Sequence, residues 1–450
     1  MNVGRREMVA AAVGVVLVAA AFVLPRAHCG VVPLRHMPPD RFATHAAATP
    51  ISGWWEPHIG WGTVPAVLVA LAVVSYGPGV AQRLRWRALP LVAWATACAW
   101  AFALAMIDGW QRGFTARLTD KNEYLQQVPS ITDIPEALRT FASRILDFQP
   151  NSWITHVSGH PPGALLTFVW LDRLGLGGGA WAGLLCLLAG SSAAAAVLTA
   201  IRAVANEPTA RLAAPFVTVA PTAIWIAVSA DGYFAGVAAW AIALLALAVR
   251  GSVRFPGLVA AGAGLLLGWA LFLNYGLALM ALPALAVLVC ADDWRRSVRA
   301  LTPVVLAAVG VVTVFAGLGF WWFDGYTLVQ QRYWQGIAHD RPFQYWSWAN
   351  LAEVVCAIGL GSVAGLGRLF DRDAIRQRSG LHLLLLAMLA AIVCADLSML
   401  SKAETERIWL PFTVWLTAAP ALLPPRSHRL WLALNVFGAL VLNSIIFTNW

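Results

Sequence analysis

Charge is scarce in this chain. Only 12% of its 450 residues are Asp, Glu, Lys or Arg, 60% are hydrophobic and the mean hydropathy is +0.69. That balance excludes an ordinary soluble globular protein and a disordered one. Lysine is nearly missing, since of 31 basic residues only Lys121 and Lys402 are lysines. Cysteine is sparse: Cys98, Cys186, Cys290, Cys356 and Cys394 sit in apolar runs and Cys29 in a loop, so neither a disulfide framework nor a CxxC metal site is present. No fixed-period repeat is visible, and no polar segment is large enough to fold as a separate domain. Abundant instead are Gly (37), Pro (25) and Trp (23), as expected where glycine lets helices approach, proline is tolerated in the bilayer and indoles sit at headgroup level. The chain reads as an all-α polytopic membrane protein. Its net charge of +9 bears on topology, and nucleic acid drops out as a partner.

Met1 to Leu24 has a basic start (Arg5, Arg6) and an apolar stretch from Met8. It reads as an uncleaved first span, because no lipobox precedes Cys29 and no small-x-small site follows the apolar run. Further spans are expected near 61–76, 88–107, 179–201, 212–229, 232–249, 255–273, 276–291, 300–321, 350–367, 381–399, 408–423 and 429–448, giving about thirteen helices of roughly bilayer length. With the amino terminus inside, the arginine-rich connections, such as Arg83, Arg85 and Arg87 or Arg295, Arg296 and Arg299, fall on the inner side. This holds only if Pro161 to Leu176 does not cross, so that segment is expected to be an interfacial helix on the outer face. Three outer stretches, 25–60, 108–178 and 324–349, are too long to be mere connectors.

Ionisable groups mark function in membrane proteins, and here they collect at helix ends. Asp120 to Tyr124 follows the third helix; a partly shielded carboxylate there can take a proton from a hydroxyl, while a solvated loop charge is the plainer reading. Asp133 and Glu136 have capping-box spacing and are assigned to structure. His156 and His160 flank a turn before Pro161-Pro162 and suit either a structural turn or contact with a sugar or phosphate; a His pair is a weak metal signal. Asp231 and Tyr233 sit in a polar break between apolar helices that a plain hairpin would also explain. Ser401 to Trp409 is dense in polar groups: Lys402 and Arg407 suit a phosphate, with Glu404 and Glu406 positioning them or meeting sugar hydroxyls. Gln330 to Trp348 mixes aromatics with polar groups and reads as interfacial anchoring. Asp40 with His36 is a fallback location for a catalytic carboxylate.

An acidic motif (Asp120 to Tyr124) in a large loop after an early helix, a His160-Pro161-Pro162 helix running to Leu176, and a helix pair joined at Ala230-Asp231-Gly232 together resemble the C-type membrane glycosyltransferases. The likeness spans about residues 88 to 250. It implies inverting transfer from a polyprenyl-phosphate sugar, with Asp120 as base, Glu123 and Asp231 in support, and Lys402 and Arg407 on the departing phosphate. The acceptor implied is an envelope glycolipid or polysaccharide on the outer face of the plasma membrane. A divalent metal is compatible with this reading but not required by it. Residues 1–87 form a two-helix extension with its outer loop, and 88–450 the core. The Arg-over-Lys, Ala-rich bias suits a high-GC actinobacterium, where arabinofuranose and mannose are the obvious sugars. A diphosphate-donor enzyme like the O-antigen ligases, or a transporter of lipid-linked sugars, are the competing readings; a transporter needs polar groups at the midplane, where the sequence has few.

Overall fold

The computed structural model describes residues 4–27, 30–35, 48–291 and 293–449; Cys29, His36 and Asp40 lie outside them. The apolar runs form helices α1 (Arg5–Arg26), α2 (Thr63–Arg83), α3 (Leu89–Ala105), α4 (Pro162–Arg173), α5 (Gly179–Ser191), α6 (Ala193–Val204), α7 (Glu207–Thr218), α8 (Ala230–Arg250), α9 (Pro256–Leu273), α10 (Ala281–Val289), α11 (Trp294–Gly317), α12 (Trp322–Gln335), α13 (Phe343–Ile358), α14 (Leu360–Leu366), α15 (Gly380–Leu397), α16 (Leu410–Leu416) and α17 (His428–Ile445). Among the described residues seven helices are long and apolar enough to cross a bilayer (α1, α2, the α5–α6 run, α8, α9, α11 and α15), or eight if the bent α13–α14 pair is one span.

Most expected segments are helical, but 212–229 and 350–367 are not straight spans, 276–291 and 408–423 are only partly α-helical, and 324–349 is not a loop. The segment 212–229 is not one helix: α7 ends at Thr218, Pro221 follows, and only Ala223–Ile226 is helical before α8 begins. This irregular backbone is tolerated because Ile224, Trp225 and Ile226 are buried in protein. The segment 350–367 starts earlier, at Phe343, and bends by 111° between α13 and α14; the joint is Gly359, whose φ of 79° suits a residue without Cβ. The stretch 324–349, expected as an outer loop, is largely α12 and the start of α13.

Helix α8 forms the centre, buried along most of its length and packed on α5, α6 and α9. Small residues permit this approach: a Cβ on Gly236 would stand 2.1 Å from the Ala189 carbonyl oxygen. The Pro161 to Leu176 segment becomes the 12-residue α4, about 18 Å long and too short to span. Its first turns are buried against α9, where a Cβ on Gly163 would meet the Phe272 carbonyl oxygen at 2.6 Å. Its first turns thus pack into the protein, while Trp170, Asp172 and Arg173 in its last turn are exposed. The amino-terminal residues are fastened to the core as well: Tyr345 Oη donates to the Ala21 carbonyl at 2.8 Å. A two-stranded antiparallel sheet pairs β1 (Gly53–Trp55) with β2 (Ile446–Thr448).

Candidate active site

The site is organised by the turn between α15 and α16. Met399, Ala403 and Glu404 all have positive φ (59°, 67° and 64°), a conformation that costs energy for residues with a Cβ and persists only where the surroundings over-determine it. Here α13 supplies the constraint. Asn350 Oδ1 accepts from the Ala403 N–H at 3.1 Å, and its Nδ2 donates to Asp396 Oδ1 at 2.7 Å and to the Ser401 carbonyl at 2.8 Å. Glu353 Oε2 accepts from the Thr405 N–H at 2.6 Å.

The turn presents an alternating chain of charge. Arg407 Nη1 meets Asp231 Oδ2 at 2.5 Å and Arg407 Nη2 meets Glu404 Oε2 at 3.2 Å; Glu404 Oε1 in turn pairs with Arg341 Nη2 at 2.7 Å. Asp231 reaches this position because Ser229 caps α8, its side chain accepting from the Gly232 N–H. Burial alone would raise the Glu404 carboxyl, but Arg341 and Arg407 outweigh it and hold it at about 2. Burial opposes the charge on Arg407 too, yet Asp231, Glu404 and Glu123 raise its affinity for the proton above the ordinary value.

The long loop 108–178 closes against this chain. Glu123 is buried and its Oε1 lies 2.7 Å from His156 Nδ1, and the His156 N–H donates to the Asn122 carbonyl, tying the acidic motif to the histidine turn. Tyr124 stacks among His156, His160 and Phe168, with ring centroids 6.1, 5.7 and 5.4 Å away. Burial, reinforced by Asp231 and Glu123, pushes its phenol well above the ordinary value. His160 Nδ1 bonds the His156 carbonyl at 2.8 Å, and burial lowers its pKa to about 4, so the ring is neutral at pH 7. Two carboxylate oxygens, Glu123 Oε2 and Asp231 Oδ1, are buried with no hydrogen-bond partner among the described residues. Each can accept a proton or a hydroxyl from a guest.

The structure therefore brings Glu123, His156, His160, Asp231, Glu404 and Arg407 together. It leaves Asp120 apart: that side chain is exposed and its Oδ1 accepts from the Asn122 N–H, a local turn bond. Asp133 caps its short helix by accepting from the Glu136 N–H, as the spacing implies. Tyr233 is turned away, its Oη accepting from Trp269 Nε1. Lys402 is directed inward, its Nζ donating to the Ala338 and Arg341 carbonyls at 2.7 Å each and lying 4.2 Å over the Trp334 ring. Burial, with Arg341 and Arg35 nearby, lowers its pKa to about 8. Glu406 faces α13 and the first loop, behind the site. Arg341 is the member that the sequence reading missed; it stands in an aromatic stretch, and its partner Glu404 is 63 positions away. Its flanking His339 and Asp340 were the signal available.

Among the described residues no group of three or more His, Cys, Asp or Glu side chains is placed to hold a metal ion, and the Glu123–His156 pair offers only two protein ligands.

No protein-family model matches this sequence, and no curated protein does either. Among solved structures the chain is similar to the oligosaccharyltransferase of Archaeoglobus fulgidus, crystallised with zinc and sulfate, at 12% identity and a TM-score of 0.52. The match covers 79% of this chain and 52% of that one, so this chain spans about half the length of its structural neighbour. At that identity the likeness is one of architecture: the chain shares the helical membrane fold of that oligosaccharyltransferase.

Proposed function

We propose that this chain is a membrane glycosyltransferase that moves a sugar, arabinofuranose or mannose, from a polyprenyl-phosphate donor to a glycolipid or polysaccharide of the cell envelope at the outer face of the plasma membrane. The observation that carries the reading is the pair of unpartnered buried carboxylate oxygens, Glu123 Oε2 and Asp231 Oδ1, beside the buried guanidinium of Arg407. A carboxylate fixed in a water-poor setting is suited to take the proton of an acceptor hydroxyl. Glu123, oriented by His156, is the preferred base because Asp231 is already committed to Arg407 through its other oxygen. The acceptor oxygen then bonds to the anomeric carbon from the face opposite the phosphate, the bond from that carbon to the phosphate oxygen breaks, and the configuration inverts. The departing lipid phosphate gains charge in the transition state. Arg407 and Arg341, held by Glu404, are the cations positioned to stabilise it.

The test is label transfer in membranes containing wild type or Glu123→Gln, supplied separately with polyprenyl-phosphate mannose and polyprenyl-phosphate arabinofuranose and a full set of envelope acceptors. Transfer from one donor, lost in the variant, is the expected result. Folded wild type that transfers from neither donor would overturn the reading and favour a diphosphate donor or transport.

A further inference from the structure

Glu353 and Glu406 are acidic groups that the transfer chemistry leaves unused. Both side chains are fully buried, at 0% exposure. Glu353 Oε2 accepts three bonds, from the Thr405 N–H at 2.6 Å, the Thr405 hydroxyl at 2.5 Å and the Glu406 N–H at 3.3 Å. Glu406 Oε1 accepts one, from the Ser52 N–H at 3.0 Å. Neither Glu353 Oε1 nor Glu406 Oε2 meets an N–H or hydroxyl donor among the described residues, and the two residues adjoin, since Glu353 Oε2 accepts from the Glu406 N–H. The groups that face them are Tyr345 and Cys356 from α13, Arg26 of α1 beyond Tyr345, Arg341 and Glu404 from either side of the turn, and Asp396 of α15 across Asn350. Of the two cations in this set, Arg341 is paired to Glu404 and Arg26 acts on Tyr345.

Two adjacent carboxylates with no paired countercharge among the described residues cannot both stay ionised in a medium this dry, so one of them keeps its proton. The three donors on Glu353 Oε2 mark Glu353 as the carboxylate. Glu406 is then the member left to hold the proton.

We propose that Glu353 and Glu406 share a single proton and that this acid–carboxylate pair is the positioning device of the active site, pinning the left-handed Ala403–Glu404 turn, and with it Arg407, to the first loop. The link is short at each end. Glu353 fixes Thr405, the neighbour of Glu404, and Glu406 precedes Arg407 while holding Ser52, the residue before β1. Neither carboxyl touches the reacting atoms; both act through the turn. Loss of the shared proton would set two negative charges against each other inside the anchor and loosen the placement of Arg407. The proton sharing is independent of what the site transfers, whereas its effect on turnover rests on the transferase reading.

The experiment uses the full chain in lipid nanodiscs. Infrared spectra of wild type and Glu406→Gln at neutral pH should differ by the carbonyl band of a protonated carboxyl, present in wild type and missing in the variant. Glutamine preserves one donor toward Glu353 and one acceptor toward Ser52, so Glu406→Gln should keep kcat within about threefold, while Glu406→Ala, which leaves both partners unsatisfied, should lose at least about tenfold. The alkaline fall in kcat should be shallower in Glu406→Gln than in wild type, with KM for the donor little changed in both. Absence of the infrared band, equal damage by Gln and Ala, or identical alkaline limbs would each overturn the proposal. The infrared measurement needs no substrate, so a wild type that transfers nothing would strike the transferase reading alone.

Discussion

Glu404 and Glu406 stand two residues apart on one turn, the first largely and the second fully buried, and the two sides of the turn treat them in opposite ways. The side facing the loop 108–178 gives Glu404 two guanidiniums, Arg341 and Arg407, and holds its carboxyl at about 2. The side facing α13 gives Glu406 a second carboxyl and a backbone N–H, and burial, the largest influence, pushes its carboxyl above the ordinary value. Burial is common to both, so depth alone does not decide ionisation; the partners do. A single turn thus carries a charged face toward the site and a protonated face toward the scaffold.

The comparison breaks most severely if its shared cation is removed. Arg407→Ala leaves Asp231 and Glu404 without it, and should abolish transfer and cost about 3–5 kcal/mol of stability, read as a fall in Tm. Arg407→Lys keeps the charge but not the fork that reaches both carboxylates, so its effects should be intermediate. Next in size is the base: Glu123→Gln should lower kcat by about 10²–10⁴-fold with little change in Tm, whereas Asp120→Asn, altering an exposed turn, should change kcat by less than about threefold.

The pH dependence of stability sharpens the contrast. The Glu404 carboxyl is depressed from the ordinary 4.5 to about 2, so its contribution is full above 4.5 and lost as pH falls toward 2. With its side chain 18% exposed, about 2–3 kcal/mol is expected. Tm should fall across that acid window in wild type and fall less in Glu404→Gln. Glu406 works in the opposite sense: its raised value gives stability that is full below 4.5 and lost as pH rises through the folded value. The smallest effect is expected at Lys402, whose ammonium holds two carbonyls; Lys402→Gln should cost about 1–3 kcal/mol in Tm terms and leave the donor KM within about twofold. A large rise in that KM would instead place Lys402 on the phosphate.

Much of the fold was legible because a bilayer demands long apolar helices, and those runs are unmistakable in sequence. The breaks were less so. Pro221 and Gly359 are visible as residues, but whether a proline or glycine bends a span depends on whether its neighbours bury the freed backbone. The polar turns at Asp231 and at 401–409 were legible as dense charge; their joining was not, since Arg407 and Asp231 are 176 positions apart. Asp120 and Glu123 differ by three positions, and spacing alone cannot say which side of a short turn faces inward. Glu123 is the one turned inward, against His156, whose N–H is tied to Asn122, while Asp120 is exposed.

The antiparallel pairing of Gly53–Trp55 with Ile446–Thr448 also fixes an order of events during biosynthesis. The first loop is made early, yet its strand partner follows almost the whole length of the chain, at about 5–20 residues per second a delay of roughly 20–80 s. Throughout that interval β1 has an unpaired edge, and Ser52 lacks Glu406 until the turn before α16 has been inserted. The active-site anchor is therefore assembled among the last parts of the molecule, so a ribosome stalled beyond α15 should release a helix-rich but inactive protein.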